Sequence, residues 1–177
     1  MKEKIIIAIS GKSGCGNTTI SKMVSEKLEL SFINFTFRSL AEERGIDLKK
    51  MLELAAADDE IDRAIDVRQV ALARESSGCV IGSRLAVWML EEATLKVYLE
   101  ASADVRAQRI AMREGGSIEE TAAFTAARDE QDRSRYLRIY DIDTNDYGFV
   151  DLVIDTDKLT PDQIVGMIIA AARVIED

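Results

Sequence analysis

The sequence predicts an α/β fold in which a parallel sheet of about five strands has helices on both faces, forming a three-layer sandwich. Short apolar runs alternate along the chain with segments whose apolar residues recur at helical spacing. A glycine-rich loop follows the first apolar run. In open parallel sheets, ligands bind at the carboxyl ends of the strands, so this loop is the first candidate for a binding site.

Length and composition favour one domain and exclude several kinds of site. The 177 residues suffice for one hydrophobic core, so we expect a single domain over residues 1–177. A net charge of -9 disfavours binding to nucleic acid or to an anionic membrane. The absence of histidine and the presence of only two cysteines disfavour transition-metal sites and Ser/His or Cys/His catalysis. Without a disulfide framework or a membrane-length apolar run, we expect a cytoplasmic protein.

The first strand, at residues 5–10, leads through the glycine-rich loop into a helix that opens at Asn17 and Thr18. The spacing G-x-x-x-x-G-x-T is typical of phosphate-binding loops. Glycines permit a positive φ and a close approach to an anion, on which successive N-H groups converge. We therefore predict a nucleotide site with Mg²⁺ at the Thr18 hydroxyl, although a glycine-rich turn can also be purely structural. The predicted residues are Gly11, Lys12, Ser13, Gly14, Cys15, Gly16, Asn17, Thr18 and Thr19.

The segments up to residue 75 predict a helix over 17–28, a short strand over 30–35 and then three helices. The first of these helices starts at Phe37 and is stopped by Gly45, and Asp47 is the expected N-cap of the second. The third helix covers residues 58–74, and its charged residues either face solvent or contribute to a site. We expect residues 36–75 to form an inserted lobe.

The second half of the chain predicts three more strands, at residues 79–82, 95–99 and 152–154. Helices are expected up to Leu90, over 103–114 and from Pro161 through Ile175. Ser117 and Glu120 have the spacing of a capping box at the start of a long polar helix that reaches Tyr140. Because this helix is too polar for a core, we predict a mobile lid over residues 115–146.

Arg128, Asp132 and Arg135 lie at positions i, i+4 and i+7 of the predicted lid helix, so their side chains leave from one face. Two cations on a lid suit phosphoryl transfer, because they stabilise the negative charge that spreads over the transferred group. The alternative is a ladder of intrahelical ion pairs, which contributes only tenths of a kcal/mol per pair.

Six runs spread over almost the whole chain resemble the nucleoside monophosphate kinases, and among them the short cytidylate kinases of the archaeal type. In the numbering of this sequence they are IAISG-x-x-G-x-G from Ile7, the Phe37-Arg38 run, Glu60-Ile-Asp62 through Gln69, Arg84-Leu-Ala-x-Trp88-Met, Arg106-x-x-Arg109, and Arg128-x-x-x-Asp132-x-x-Arg135.

The resemblance implies transfer of the ATP γ-phosphoryl group to CMP or dCMP, with Mg²⁺, by a phosphate-loop (P-loop) kinase that we expect to be a monomer. It implies that Arg38 holds the acceptor phosphate, that Arg84 lies in the acceptor pocket and that Asp132 lies near the acceptor ribose. Arg128 and Arg135 would reach the phosphates from the lid. Asp155 and Thr156, after the last strand, would border adenine.

Two positions depart from the family pattern. Asn17 stands where the loop normally has lysine, and Gly82-Ser83 stands where family members commonly carry Glu-Gly. We predict that Lys12 replaces the missing loop cation, because its flexible side chain can reach the γ-phosphate, although it can equally point into solvent. The departures also leave open a nucleotide-binding protein with little kinase activity. A kinase for another small acceptor remains a further alternative.

Overall fold

In the computed structural model, which describes residues 4–176, five parallel strands form the central sheet. They are β1 (Ile6–Gly11), β2 (Ser31–Ile33), β3 (Cys79–Gly82), β4 (Leu95–Glu100) and β5 (Leu152–Asp155). Their order in the sheet is β2-β3-β1-β4-β5, and every neighbouring pair is parallel. Because β1 is the central strand, the glycine-rich loop after it emerges in the middle of the carboxyl edge.

Eight helices connect or flank these strands in the described part of the chain. They are α1 (Asn17–Leu28), α2 (Phe37–Arg44), α3 (Leu48–Ala57), α4 (Asp59–Glu75), α5 (Ala86–Met89), α6 (Ala103–Glu114), α7 (Ile118–Tyr140) and α8 (Pro161–Glu176). The expected caps are present. Side-chain oxygens of Asp47 and Ser117 accept hydrogen bonds from the backbone N-H groups of Lys50 and Glu120, which fixes the starts of α3 and α7.

Alternate residues of β1 enter two different cores, because successive side chains of a strand point to opposite faces. Ile7 and Ile9 pack with residues of α1 and α8, whereas Ile6 and Ala8 pack with residues of α4 and α5. A third cluster joins α2, α3 and the first half of α4. The segment predicted as an inserted lobe therefore has a small core of its own.

The predicted fold class and the order of elements are confirmed, and most boundaries agree within one or two residues. The largest difference is β2, which is shorter than residues 30–35 because it pairs only with β3, over Ser31–Ile33. Residues 1–3 and 177 of the predicted domain lie outside the described residues. None of the helices in residues 4–176 is both long and apolar enough to cross a membrane.

Candidate active site

The glycine-rich loop has the backbone geometry that an anion site requires. Gly14 and Gly16 adopt positive φ angles of 86° and 98°. Gly16 is the N-cap of α1, and no side chain caps this helix. No capping side chain therefore accepts a hydrogen bond from the first N-H groups of α1. These groups lie at the positive end of the helix dipole. This geometry suits the binding of phosphate oxygens.

Two arginines of α6 hold the loop from behind. Arg106 Nη1 donates to the Ser13 carbonyl oxygen at 3.1 Å, and Arg109 Nη1 donates to that of Gly14 at 3.3 Å. Arg109 also binds the Thr156 hydroxyl at 2.9 Å and the Thr156 carbonyl at 2.7 Å. Because two loop carbonyls are turned toward α6, the opposite side of the loop is left to N-H groups.

Asn17, in the position of the usual lysine, ties the two ends of the loop together. Its Nδ2 donates to the carbonyl oxygen of Gly11 at 2.5 Å. Its Oδ1 is buried without a hydrogen-bond partner in the described residues. The side chain thus stabilises the closed shape of the loop but brings no positive charge to it.

Gly82, the second departure, is packed directly against α1. A Cβ atom on Gly82 would lie within 3.0 Å of the Asn17 carbonyl oxygen and still closer to the Ser21 side chain. A glutamate at this position would require α1 to move away from β3. The close packing of α1 against β3 therefore leaves no room for a carboxylate side chain at this position.

Arg84 follows β3 and forms an ion pair with Asp132 of α7. Ser10 fixes the segment that carries Arg84, because its hydroxyl donates to the Ser83 carbonyl at 2.8 Å and accepts from the Val87 N-H at 3.2 Å. Burial lowers the pKa of the Arg84 guanidinium from its ordinary value. The buried Asp132 carboxylate supplies the negative charge that stabilises this cation inside the protein.

Asp132 also binds the second lid arginine. Arg135 Nη2 lies 2.9 Å from Asp132 Oδ1 and 3.6 Å from Asp62 Oδ1 of α4. The interpretation as an intrahelical ion pair is therefore correct for Asp132 and Arg135. Asp132 also pairs with Arg84, in the segment after β3. The Asp132 carboxylate thus holds Arg84 and Arg135, which come from two separate segments, next to each other.

Arg128 and Lys12 remain available for an anion. Among residues 4–176, neither has a carboxylate oxygen within 4.0 Å. Both side chains line one open cavity of about 770 Å³ together with loop residues 13–19 and Arg84. Arg109 and Arg113 add positive charge to this cavity, whose one acidic lining residue is Glu114. Such a cationic lining in a chain of net charge -9 marks a local anion site.

The other predicted residues are placed less centrally. Gly11 lines a smaller adjoining cavity with Lys12, Arg84 and Asp132. Asp155 is exposed and accepts a hydrogen bond from the Asp157 N-H at 3.0 Å, in a neighbouring cavity that Lys12 also lines. Arg38 is exposed in the first turn of α2 and lines none of these cavities.

The lid helix is joined to the inserted lobe by polar contacts. Arg138 forms an ion pair with Asp59 at 2.7 Å, and the Tyr140 hydroxyl donates to Asp66 Oδ2 at 2.6 Å. Near its middle, Asp129 of α7 pairs with the loop-holding Arg106 at 2.8 Å. Helix α7 therefore contacts both the phosphate-loop support and the lobe.

Sequence reasoning gave no role to Arg106, Arg109 or Asp129. The two arginines are three residues apart on α6, and so they share one helical face. Arg106 is only 7% exposed, which is unusual for an arginine and agrees with its role in holding the loop. The only signal in the sequence was the Arg106-x-x-Arg109 run within the family resemblance.

The site residues fit a magnesium ion only together with a nucleotide. Thr18 is exposed in the first turn of α1, where its hydroxyl is available as one oxygen ligand. Within residues 4–176, no cluster of three or more acidic or cysteine side chains is placed to hold a metal. Mg²⁺ commonly takes few protein ligands and completes its octahedron with phosphate oxygens and water. The nucleotide therefore has to supply most of the ligands.

A phosphate loop after the central strand of a parallel 2-3-1-4-5 sheet, with arginines converging on it, defines a P-loop kinase fold. A solved structure of shikimate kinase from Bacteroides thetaiotaomicron has the same fold, with a TM-score of 0.65 at 16% identity over 96% of this chain and 98% of that one. The chain belongs to the cytidylate kinase-like family, whose sequence model matches residues 6–158.

Two relatives illustrate how far the similarity extends. A protein of Pyrococcus horikoshii named cytidylate kinase is 42% identical over 172 residues, which is 96% of this chain and 89% of the relative. A protein of Borreliella afzelii named cytidylate kinase 2 is 45% identical over 166 residues, or 92% of this chain and 93% of the relative. The predicted family is therefore confirmed.

Proposed function

We propose that this protein transfers the γ-phosphoryl group of ATP to CMP or dCMP. The observation that carries the proposal is the convergence of Lys12, Arg84 and Arg128 on the free N-terminus of α1. The family membership and the names of the relatives supply the acceptor. In phosphoryl transfer, catalysis is mostly positioning and charge stabilisation, which is what such a set of residues provides.

We assign a role to each group from its position. The loop N-H groups bind the ATP phosphates, and Thr18 contributes one hydroxyl to the Mg²⁺ that shields their charge. In this proposal Lys12 and Arg128 approach the transferred group. Arg135 was predicted to join them from the lid, but Asp132 and Asp62 hold it, and we assign it with Arg84 and Asp132 to the acceptor side. Arg38, on the surface of the lobe, would reach the acceptor phosphate only after the lobe moves inward.

A coupled ADP-release assay with ATP, Mg²⁺ and a panel of nucleoside monophosphates tests the proposal. We expect kcat/KM for CMP and dCMP to exceed that for AMP and GMP by at least about tenfold, or about 1.4 kcal/mol. A higher kcat/KM for AMP or for a non-nucleotide acceptor would overturn the assignment. ATP binding without turnover of any monophosphate would identify a nucleotide-binding protein instead.

A further inference from the structure

Helix α4 carries a row of polar side chains on its inner face. Asp62, Asp66 and Gln69 lie at positions i, i+4 and i+7, so they share one face of the helix. Asp62 is 9% exposed and Gln69 is 7% exposed, whereas Val67, on the other side of the helix, is 61% exposed. Burying polar groups is costly unless they are paired, so this row needs an explanation.

The row is not fully paired within the protein. Gln69 Oε1 is buried without a hydrogen-bond partner in the described residues. Asp66 receives one hydrogen bond, from Tyr140, and burial raises its pKa. An orphaned amide beside a carboxylate is the arrangement expected where a ligand supplies the missing partner.

Asp66 and Gln69 line a narrow cavity whose opposite wall follows β3. That wall is mostly apolar and consists of Ile81, Ser83, Leu85, Ala86, Met89 and Leu90. Apolar walls with a few polar groups on one side are typical of a small-molecule pocket. The same segment carries Arg84, so the cavity lies beside the residues placed on the acceptor side.

The cavity is closed in this structure, with about 10 Å³ of space, which is enough for one water molecule. The α4–α7 seam that includes Tyr140–Asp66 and Arg138–Asp59 is polar and partly exposed, so it can separate at a low cost. A planar base would enter only if α4 also moved away from the segment after β3, which forms the other wall of the cavity.

We propose that Asp66 and Gln69 recognise the Watson–Crick edge of the acceptor base and thereby select cytosine over uracil. This inference rests on the proposed function. Cytosine presents its N4 amino group as a donor, with N3 and O2 as acceptors. A carboxylate only accepts hydrogen bonds, so Asp66 suits one hydrogen of the N4 amino group. The orphaned Gln69 Oε1 is also an acceptor and suits the other hydrogen. Uracil presents O4 to the same carboxylate, and two acceptors repel each other.

The groups that face Asp66 are Tyr140 and Arg135 from α7 and Asp62 from α4 itself. Burial raises the pKa of Asp66 to about 6, and the hydrogen bond from Tyr140 acts against that rise. At pH 8 the carboxylate is therefore ionised and accepts hydrogen bonds only. Below pH 6 it becomes protonated and can donate to O4, so selection against uracil weakens.

Asp66→Asn tests the inference with a nearly isosteric change, and Val67→Ala, on the exposed side of the same helix, is the matched control. At pH 8 we expect the ratio of kcat/KM for CMP to that for UMP to fall at least about tenfold in Asp66→Asn, mainly through KM. In Val67→Ala the ratio stays within about twofold of wild type. Gln69→Met should raise the calorimetric Kd for CMP about tenfold. Melting curves verify that each variant is folded.

The outcomes separate this inference from the proposed function. If wild type phosphorylates CMP and Asp66→Asn keeps the same CMP:UMP ratio, the inference is wrong and the proposed function stands. If wild type phosphorylates neither nucleotide, the proposed function fails, and calorimetry with CMP and UMP in the absence of ATP decides the base contacts. A CMP preference in binding that Asp66→Asn removes supports the inference. Equal binding of the two, or binding of neither, overturns it.

Discussion

The Asp132→Asn substitution should destabilise the protein strongly because it leaves two arginines without their shared counter-ion. Asp132 pairs with Arg84 and with Arg135, and its side chain is only 12% exposed. Breaking a buried ion pair by removing one partner typically costs about 3–5 kcal/mol. Arg84 is 24% exposed and Asp62 remains near Arg135, so we expect a loss near the lower limit, about 3 kcal/mol.

Urea unfolding followed by circular dichroism measures this loss. For a chain of this size, about 3 kcal/mol corresponds to a decrease in Tm of about 6–12 °C. Asp59→Asn is the control, because Asp59 forms the same type of ion pair with Arg138 but is 40% exposed. Exposed pairs contribute about 0–1 kcal/mol, so the control should barely change Tm.

Equal losses in Asp132→Asn and Asp59→Asn would refute the reasoning, because burial would then not determine the strength of these pairs. An unchanged free energy of unfolding in Asp132→Asn would refute it as well.

Three further predictions follow from the same geometry. Lys12→Ala should lower kcat by about 10² or more, because the enzyme loses one positioned charge. Adding Asn17→Lys to this variant should restore much of the lost kcat. Unchanged turnover in Lys12→Ala would show that Lys12 faces solvent. Arg128→Ala should lower kcat by a similar factor with no change in Tm, because Arg128 is exposed and has no ion-pair partner in the described residues. A lower Tm with normal kcat would instead indicate a structural role. Asp66→Asn should stabilise the protein at pH 7 by up to about 3 kcal/mol. The pKa of Asp66 rises from 3.8 to about 6 on folding, so the folded wild type binds more protons between these values and loses stability as the pH rises through that window. A stability difference between Asp66→Asn and wild type that is the same at pH 4 and pH 8 would contradict this.

The fold was largely readable from the sequence, because its signals are local. The phosphate loop needs glycines at fixed positions after an apolar strand, and Gly14 and Gly16 indeed adopt positive φ angles. The capping residues Asp47 and Ser117 fixed helix starts for the same reason, since a cap involves only its own first turn. Strand and helix periodicity then predicted a parallel sheet, because short strands alternating with helices have few other solutions.

The candidate site was predictable only where one segment contains it. The loop residues and the shared face of Arg128, Asp132 and Arg135 follow from spacing along a single element. Which partner each side chain finds does not follow from spacing. Arg84 and Asp132 are 48 positions apart in the sequence, and their ion pair exists only because β3 and α7 meet at the carboxyl edge of the sheet.

The tertiary structure also decided which charged residues are buried. In the sequence, Asp62, Asp66 and Arg68 are equivalent charges on one amphipathic helix. Packing of α4 against α7 and the segment after β3 turns Asp62 and Asp66 inward and leaves Arg68 exposed. The rotation of a helix about its axis depends on the apolar surfaces it meets, such as Ile61 and Ile65 in the lobe core. Since those surfaces come from distant parts of the chain, only the folded structure identifies the buried polar row.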